Sequence, residues 1–256
     1  MMLVLTIALA TFREAVRARV FVYLLVVAAF VVVGAIPTAD LGTGQELRLV
    51  TDLSMGGVAF TAAFLAIFLG VSAVSGEVER RTIYTVITKA ASRTQFVIGK
   101  WLGVWMTVLV AIVISYVLVI AVVSGLGHEF ASNLFAPLWM LAWETALLIA
   151  LATFFSCITR PLLSSGLTIA LYVVGGSLSS LDYWAGQSAA PEWLKKITAG
   201  LFYVLPDFEI FDIKTEVIYK LEYPLAQLGA AGLYGIVYSA GLLALGTFIF
   251  QRRDLK

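Results

Sequence analysis

The densest run of ionisable side chains is Glu77-Val78-Glu79-Arg80-Arg81-Thr82, continuing through Ile83-Tyr84-Thr85-Val86-Ile87-Thr88-Lys89. Acids and bases at this density do not enter an apolar core without partners, so they read as a solvated contact surface. Ile83, Val86 and Ile87 give that surface an apolar edge beside Thr82, Thr85 and Lys89, the pattern of a short amphipathic helix at an interface. The plainer alternative is a basic loop that only fixes topology. Ser92 and Gln95 follow with capping-box spacing, in which each side chain bonds the other residue's backbone N–H and a helix begins. Glu144 stands apart, alone in an apolar run, where an acid costs on the order of 2.5–3.5 kcal/mol at the bilayer centre. It needs a partner or a polar cavity, and reads either as a cargo or gating contact or as a hydrogen-bonded packing residue.

Other chemistries lack their parts. The single cysteine, Cys157, excludes an intramolecular disulfide and reads as a small buried apolar residue, and the single histidine, His128, excludes a histidine-based metal cage. No metal is expected. His128 falls between apolar runs, so no Ser-His dyad forms within a span. The phosphate-cradling G-x-x-x-x-G-K-[ST] loop is missing, so the chain is not expected to be an enzyme and needs no cofactor of its own. With 17 Lys and Arg against 16 Asp and Glu, the formal net charge is +1, which gives no basic excess for nucleic acid.

The elements that position these residues follow from composition. Of 256 residues, 61% are hydrophobic and 13% charged, where soluble domains carry roughly a quarter charged. Six apolar runs have the length of a membrane-crossing helix, at about 20–36, 53–75, 101–124, 137–158, 162–181 and 225–250. Arg13, Arg17, Arg19, Arg80, Arg81, Lys89, Arg93, Lys100, Arg160, Arg252, Arg253 and Lys256 fall on the side of the termini. Only Arg48, Lys195, Lys196, Lys214 and Lys220 fall opposite. Basic residues mark the cytoplasmic side, so both termini are predicted cytoplasmic in a multi-pass protein of the cell (inner) membrane. The expected fold is an all-α integral membrane protein forming a single transmembrane domain over 1–256.

Three further features refine that domain. Residues 3–19 place Leu5, Leu9, Phe12 and Val16 on one helical stripe beside Arg13 and Arg17, predicting a helix lying in the lipid interface. Gly56, Ala59, Ala63, Ala66, Gly70 and Ala73 recur at alternating spacings of three and four along the second span, a stripe that lets another helix approach closely. The external segment, 182–224, mixes Trp193 and other aromatics with charges, as short helices at an outer interface do.

In the order of its motifs the sequence resembles the membrane (permease) subunits of type-2 ABC exporters over nearly its whole length. The resemblance rests on the interfacial N-terminal helix, six spans, Glu77-x-Glu79-Arg80-x-Thr82, Ser92-Arg93-Thr94 leading to Gly99-Lys100, Leu205-Pro206-Asp207-Phe208 to Phe211-Asp212, and the closing Arg252-Arg253-Asp254. It implies that 76–100 is a cytoplasmic loop holding a coupling helix, in which Glu77, Glu79, Arg80 and Thr82 face a nucleotide-binding ATPase subunit. Arg81 stands where many relatives have glycine, and Ile83, Val86 and Ile87 would belong to the same docking element. It also implies that short external helices around Trp193, Pro206, Asp207, Phe208 and Asp212 cap the translocation path. ATP and Mg would bind the partner ATPase, and a second permease subunit, identical or sister, would complete the pair. The function so implied is movement of a substrate across the membrane with ATP hydrolysed by the separate subunit. Two alternatives stay open: an ATP-driven mechanical complex acting on an extracytoplasmic partner docked on 182–224, and an ATP-independent membrane scaffold or channel subunit.

Overall fold

The computed structural model describes residues 2–37, 46–79, 92–126, 135–186, 191–213 and 223–252. These residues form an all-α integral membrane protein with helices α1 (Met2–Arg17), α2 (Arg19–Gly34), α3 (Glu46–Glu79), α4 (Arg93–Gly125), α5 (Phe135–Ile158), α6 (Pro161–Gly175), α7 (Leu178–Gly186), α8 (Glu192–Val204) and α9 (Leu225–Arg252). Helices α3, α4, α5 and α9 are each long and apolar enough to cross a membrane. The pairs α1–α2 and α6–α7 each supply one more span if a bent pair counts as one, which brings the number from four to six.

The first pair turns by 61° at Ala18, whose extended backbone breaks the helix. Helix α1 buries Ala8, Thr11 and Ala15 and leaves Leu5 and Leu9 exposed, so its small face meets protein while its large side chains face outward. The small face lies on α4, where glycines admit it: a Cβ on Gly103 would stand 2.5 Å from the Ala8 carbonyl oxygen. Helix α2 has 16 residues, about 24 Å at 1.5 Å per residue, short of a bilayer core of roughly 30 Å.

Helix α5 is the axis of the bundle, packed against α3, α4, α6 and α9. Ala146 through Ala152 are all buried, as expected of a helix apolar on every side. Tryptophans brace it. Trp101 and Trp105 of α4 stack with ring centroids 5.6 Å apart, and Trp105 meets Trp143 of α5 at 5.2 Å. Their indole N–H groups donate to the Ala146 and Ala142 carbonyls of α5, each at 2.9 Å, while Trp139 of α5 donates to the Leu228 carbonyl of α9 at 3.0 Å. Each helical carbonyl has a second lone pair for such a bond, so the indoles tie the helices without breaking any backbone ladder.

The fifth apolar run, predicted as one span over 162–181, is not continuous. It bends by 53° between α6 and α7 after Gly175-Gly176, where two glycines weaken the helix. The Gly175 carbonyl accepts instead from the Phe208 N–H at 3.1 Å. The third helix starts at Arg93, directly after the Ser92 cap, so it extends beyond the apolar run at 101–124 and includes Lys100.

Candidate functional site

Glu144 of α5 accepts a hydrogen bond from the Tyr172 hydroxyl of α6 at 2.8 Å. Both line a cavity of about 320 Å³ whose wall is completed by Met55 and Ala59 of α3, Tyr116 of α4, and Phe208, Glu209, Phe211 and Asp212 from the segment before α9. Glu144 sits nine residues from the start of α5 and Tyr116 nine from the end of α4, so the cavity reaches about 14 Å into the bundle. It opens at the end away from α1. Three carboxylates and two tyrosines share the lining with further apolar and aromatic side chains, a surface able to hold a polar or cationic group beside an apolar body.

The roof of this cavity comes from the motif Leu205-Pro206-Asp207-Phe208. Pro206 and Phe208 are buried, and Phe208 meets the Tyr172 ring edge-on at 5.1 Å. Close approach here requires glycine: a Cβ on Gly175 would lie 2.4 Å from the Pro206 carbonyl oxygen and 2.8 Å from the Phe208 ring. The Asp207 N–H donates to the Tyr234 hydroxyl of α9 at 2.8 Å, and Asp207 Oδ1 accepts from the Glu209 N–H at 2.9 Å. Burial pushes the Asp207 carboxyl above its ordinary value, with the Glu209 charge adding to the rise against backbone hydrogen bonds that lower it. Glu209 Oε2 accepts from the Ser179 N–H at 3.1 Å and from the Ser179 hydroxyl, which fastens the roof to α7. Asp212 is exposed at the cavity rim, and Trp193 is 62% exposed on α8.

At the opposite end of the bundle, Ser92 caps α4. Its hydroxyl accepts from the Gln95 N–H at 3.2 Å, and Gln95 Oε1 accepts from the Ser92 N–H at 3.1 Å. The next residue, Arg93, donates to the Phe250 and Gln251 carbonyls of α9 at 2.7 and 3.1 Å, satisfying acceptors left over at a helix C-terminus. Gln251 adds a bond to Thr94 at 3.3 Å. The start of α4 and the end of α9, about 157 residues apart, are thereby one structural unit. Glu77 and Glu79 belong to the last turns of α3. Their side chains, together with Arg80, Arg81, Thr82, Ile83, Val86 and Ile87, lie outside the described residues, as does His128.

The small-residue stripe of α3 does not form one seam. Ala63 and Ala66 are buried, and a Cβ on Gly70 would come within 2.9 Å of the Ala152 methyl of α5. Ala59 lines the cavity below Glu144, Ala73 lines a second cavity near α1, and Gly56 has open space before it. Cys157 is fully buried.

Two features escaped the sequence reading. Tyr172 carried no signal, because its partner lies 28 residues away on another helix. Lys100, 5% exposed, only flanks the third apolar run in the sequence; in the fold Glu14 of α1 comes within 3.8 Å of it and it lies over the Phe96 ring. The tryptophan spacing of four, 101 with 105 and 139 with 143, was a legible sign of two aromatic faces that meet. Among the described residues no group of histidine, cysteine or acidic side chains is arranged to hold a metal ion.

Compared with models of protein families, residues 5–255 match the ABC-2 family transporter protein. No curated protein matches the chain.

Proposed function

The chain belongs to the ABC-2 family of transporter proteins, and on that premise we propose that it is a permease subunit that moves substrate with ATP hydrolysed by a separate cytoplasmic ATPase. The observation that carries the reading beyond the family is the continuity of α3. Met55 and Ala59 of this helix line the cavity that holds Glu144, and the same 34-residue helix ends at Glu77 and Glu79, the start of the proposed ATPase-docking segment. At 1.5 Å per residue it is a rod about 50 Å long. A push at its charged end is transmitted to the cavity wall, because Gly70 seats the rod closely on the Ala152 methyl and Ile149 backbone of α5. In this reading two copies, or this chain and a sister, pair in the membrane, ATP draws two ATPases together, and the tilt of α3 reshapes the cavity beneath the Pro206–Phe208 roof. Glu144 and Tyr172 are its polar contact.

The test is co-purification of the full-length permease with a nucleotide-binding ATPase encoded beside it. Charge reversal at Glu77 and Glu79 is expected to release the ATPase while the permease remains folded in the membrane. Retention of the whole complex by the doubly reversed variant would overturn the docking assignment.

A further inference from the structure

The cavity around Glu144 has a further polar side chain deep in its wall. Tyr116 of α4 lines it and is 4% exposed, yet its hydroxyl has no hydrogen-bond partner among the described residues. Glu144 lies nine residues after the start of α5 and Tyr116 nine before the end of α4, so both stand about 14 Å along helices that pack together. We propose that this cavity binds a compact neutral amphiphile ending in a hydroxyl group, which donates to Glu144 and accepts from Tyr116 while its apolar body lies among Met55, Leu141, Phe208 and Phe211. As an assignment of cargo this rests on the permease reading above; as a binding site it needs neither ATP nor the ATPase.

Tyr116 carries the assignment. Among the described residues the hydroxyls of Thr11, Ser54 and Ser239 are both sealed and unpartnered. The Tyr116 hydroxyl is unpartnered without being sealed, so the little surface this residue shows includes its hydroxyl, and the cavity is where it opens. A buried donor with no acceptor costs free energy that a ligand's lone pair recovers. The other tyrosine of the wall has already placed its proton, because the Tyr172 hydroxyl donates to Glu144 at 2.8 Å. Glu144 keeps acceptor capacity beside that bond, since an ionised carboxylate has about four lone-pair sites, and it is near enough to Tyr116 to act on it electrostatically. The inner wall therefore offers a donor and an acceptor to one entering group. A hydroxyl, with one proton to give and lone pairs to receive, matches that demand.

Other end groups match it less well. An ammonium has protons and no lone pair, which leaves the Tyr116 proton without an acceptor, and it must shed its water for a single carboxylate, a trade that returns little in a buried site. A carboxylate would meet Glu144 with like charge. An amide brings two N–H donors and a carbonyl, more than this wall can partner. The other two acids act elsewhere: Glu209 accepts from the Ser179 N–H and hydroxyl, and Asp212 is exposed at the rim. Size narrows the class further. About 320 Å³ is at the small end of ligand sites, which span roughly 300–1,000 Å³, and suits a body of one or two rings better than a phospholipid or a polymer.

The experiment measures binding to the purified full-length protein, with no ATPase present, of diphenylpropanol, diphenylpropylamine and diphenylpropanoate, which share one apolar body. The wild type is expected to bind the alcohol about tenfold or more tightly than the amine or the carboxylate. Tyr116→Phe is expected to cut affinity for the alcohol about tenfold, the effect of losing one hydrogen bond, and to leave the amine unchanged. Because the hydroxyl gives up no bond within the described residues, the same variant without ligand is expected to melt no lower than the wild type. Amine or carboxylate binding as tight as that of the alcohol would overturn the proposal, as would equal alcohol affinity in wild type and Tyr116→Phe, or no saturable binding of the alcohol. A lower melting temperature in unliganded Tyr116→Phe would also overturn it, by showing the hydroxyl to be spent within the protein. None of these measurements involves the ATPase, so loss of the docking assignment leaves them intact, and their failure leaves that assignment standing.

Discussion

Glu144 and Tyr172 show how much one residue can reveal and how much its partner conceals. An acid in an apolar run is conspicuous because its desolvation cost demands an explanation, so Glu144 is legible from sequence. The hydroxyl that meets that demand is not, since tyrosine is ordinary in a span and the pairing exists only after α5 and α6 fold together. The pair also separates two roles. Glu144→Gln keeps an acceptor for the Tyr172 hydroxyl and removes the charge, whereas Tyr172→Phe keeps the charge and removes its bond, at a cost of about 1–3 kcal/mol. If the charge serves the transported group, Glu144→Gln lowers transport with melting temperature held, and Tyr172→Phe lowers both. Wild-type transport and assembly in Glu144→Gln would remove this residue from the mechanism. Lys100 is obscured for a different reason: the apolar run begins at Trp101, and a lysine just outside such a run reads as an ordinary flank. Only the packing of α1 over α4 turns it into a buried group.

The elements follow the same division. The long helices were legible, because about 20 apolar residues in a row admit little else in a membrane. The break between α6 and α7 was not, because hydropathy records preference for lipid and is silent on whether a helix continues. Gly175-Gly176 and the Pro206–Phe208 segment are apolar enough to pass for parts of a span and a loop. They become a single device only when the Phe208 N–H takes the Gly175 carbonyl. Non-helical backbone in such a protein is tolerated where protein buries it and satisfies its polar groups, and here the roof supplies both. Gly175→Ala therefore tests the device as an element. The added methyl has the Pro206 carbonyl oxygen 2.4 Å away, so either the roof or α6 must shift, with an expected loss of about 1–3 kcal/mol. Accelerated amide exchange is expected at 206–213 with α4 and α5 unchanged. Unaltered protection across that segment would show that the roof does not depend on this contact.

At the scale of the whole molecule, the two ends of the bundle differ in what holds them. The cavity end is closed by one segment lying over a broken helix, while the end carrying the chain termini is closed by Arg93, which joins the first residue of α4 to the last carbonyls of α9. The motif at 92–94 is legible in the sequence, but nothing there points to Phe250 and Gln251, since a guanidinium that caps a distant helix leaves no periodic trace. The consequence is mechanical. In the proposed reading, force arrives at Glu77 and Glu79 on α3 and returns to the membrane through the start of α4. The Arg93 bonds pass that displacement to α9, which packs along α5. Arg93→Ala leaves the Ser92–Gln95 cap and the proposed ATPase contacts in place, and removes two charge-assisted bonds worth roughly 1.5–3 kcal/mol each before relaxation. The variant is expected to retain its ATPase on purification yet to hydrolyse ATP with transport reduced severalfold, while Arg93→Lys, which keeps the charge but not the fork, falls between. Loss of the ATPase from Arg93→Ala would place this residue in docking instead, and unchanged transport per ATP would show that α9 takes no part in transmitting the stroke.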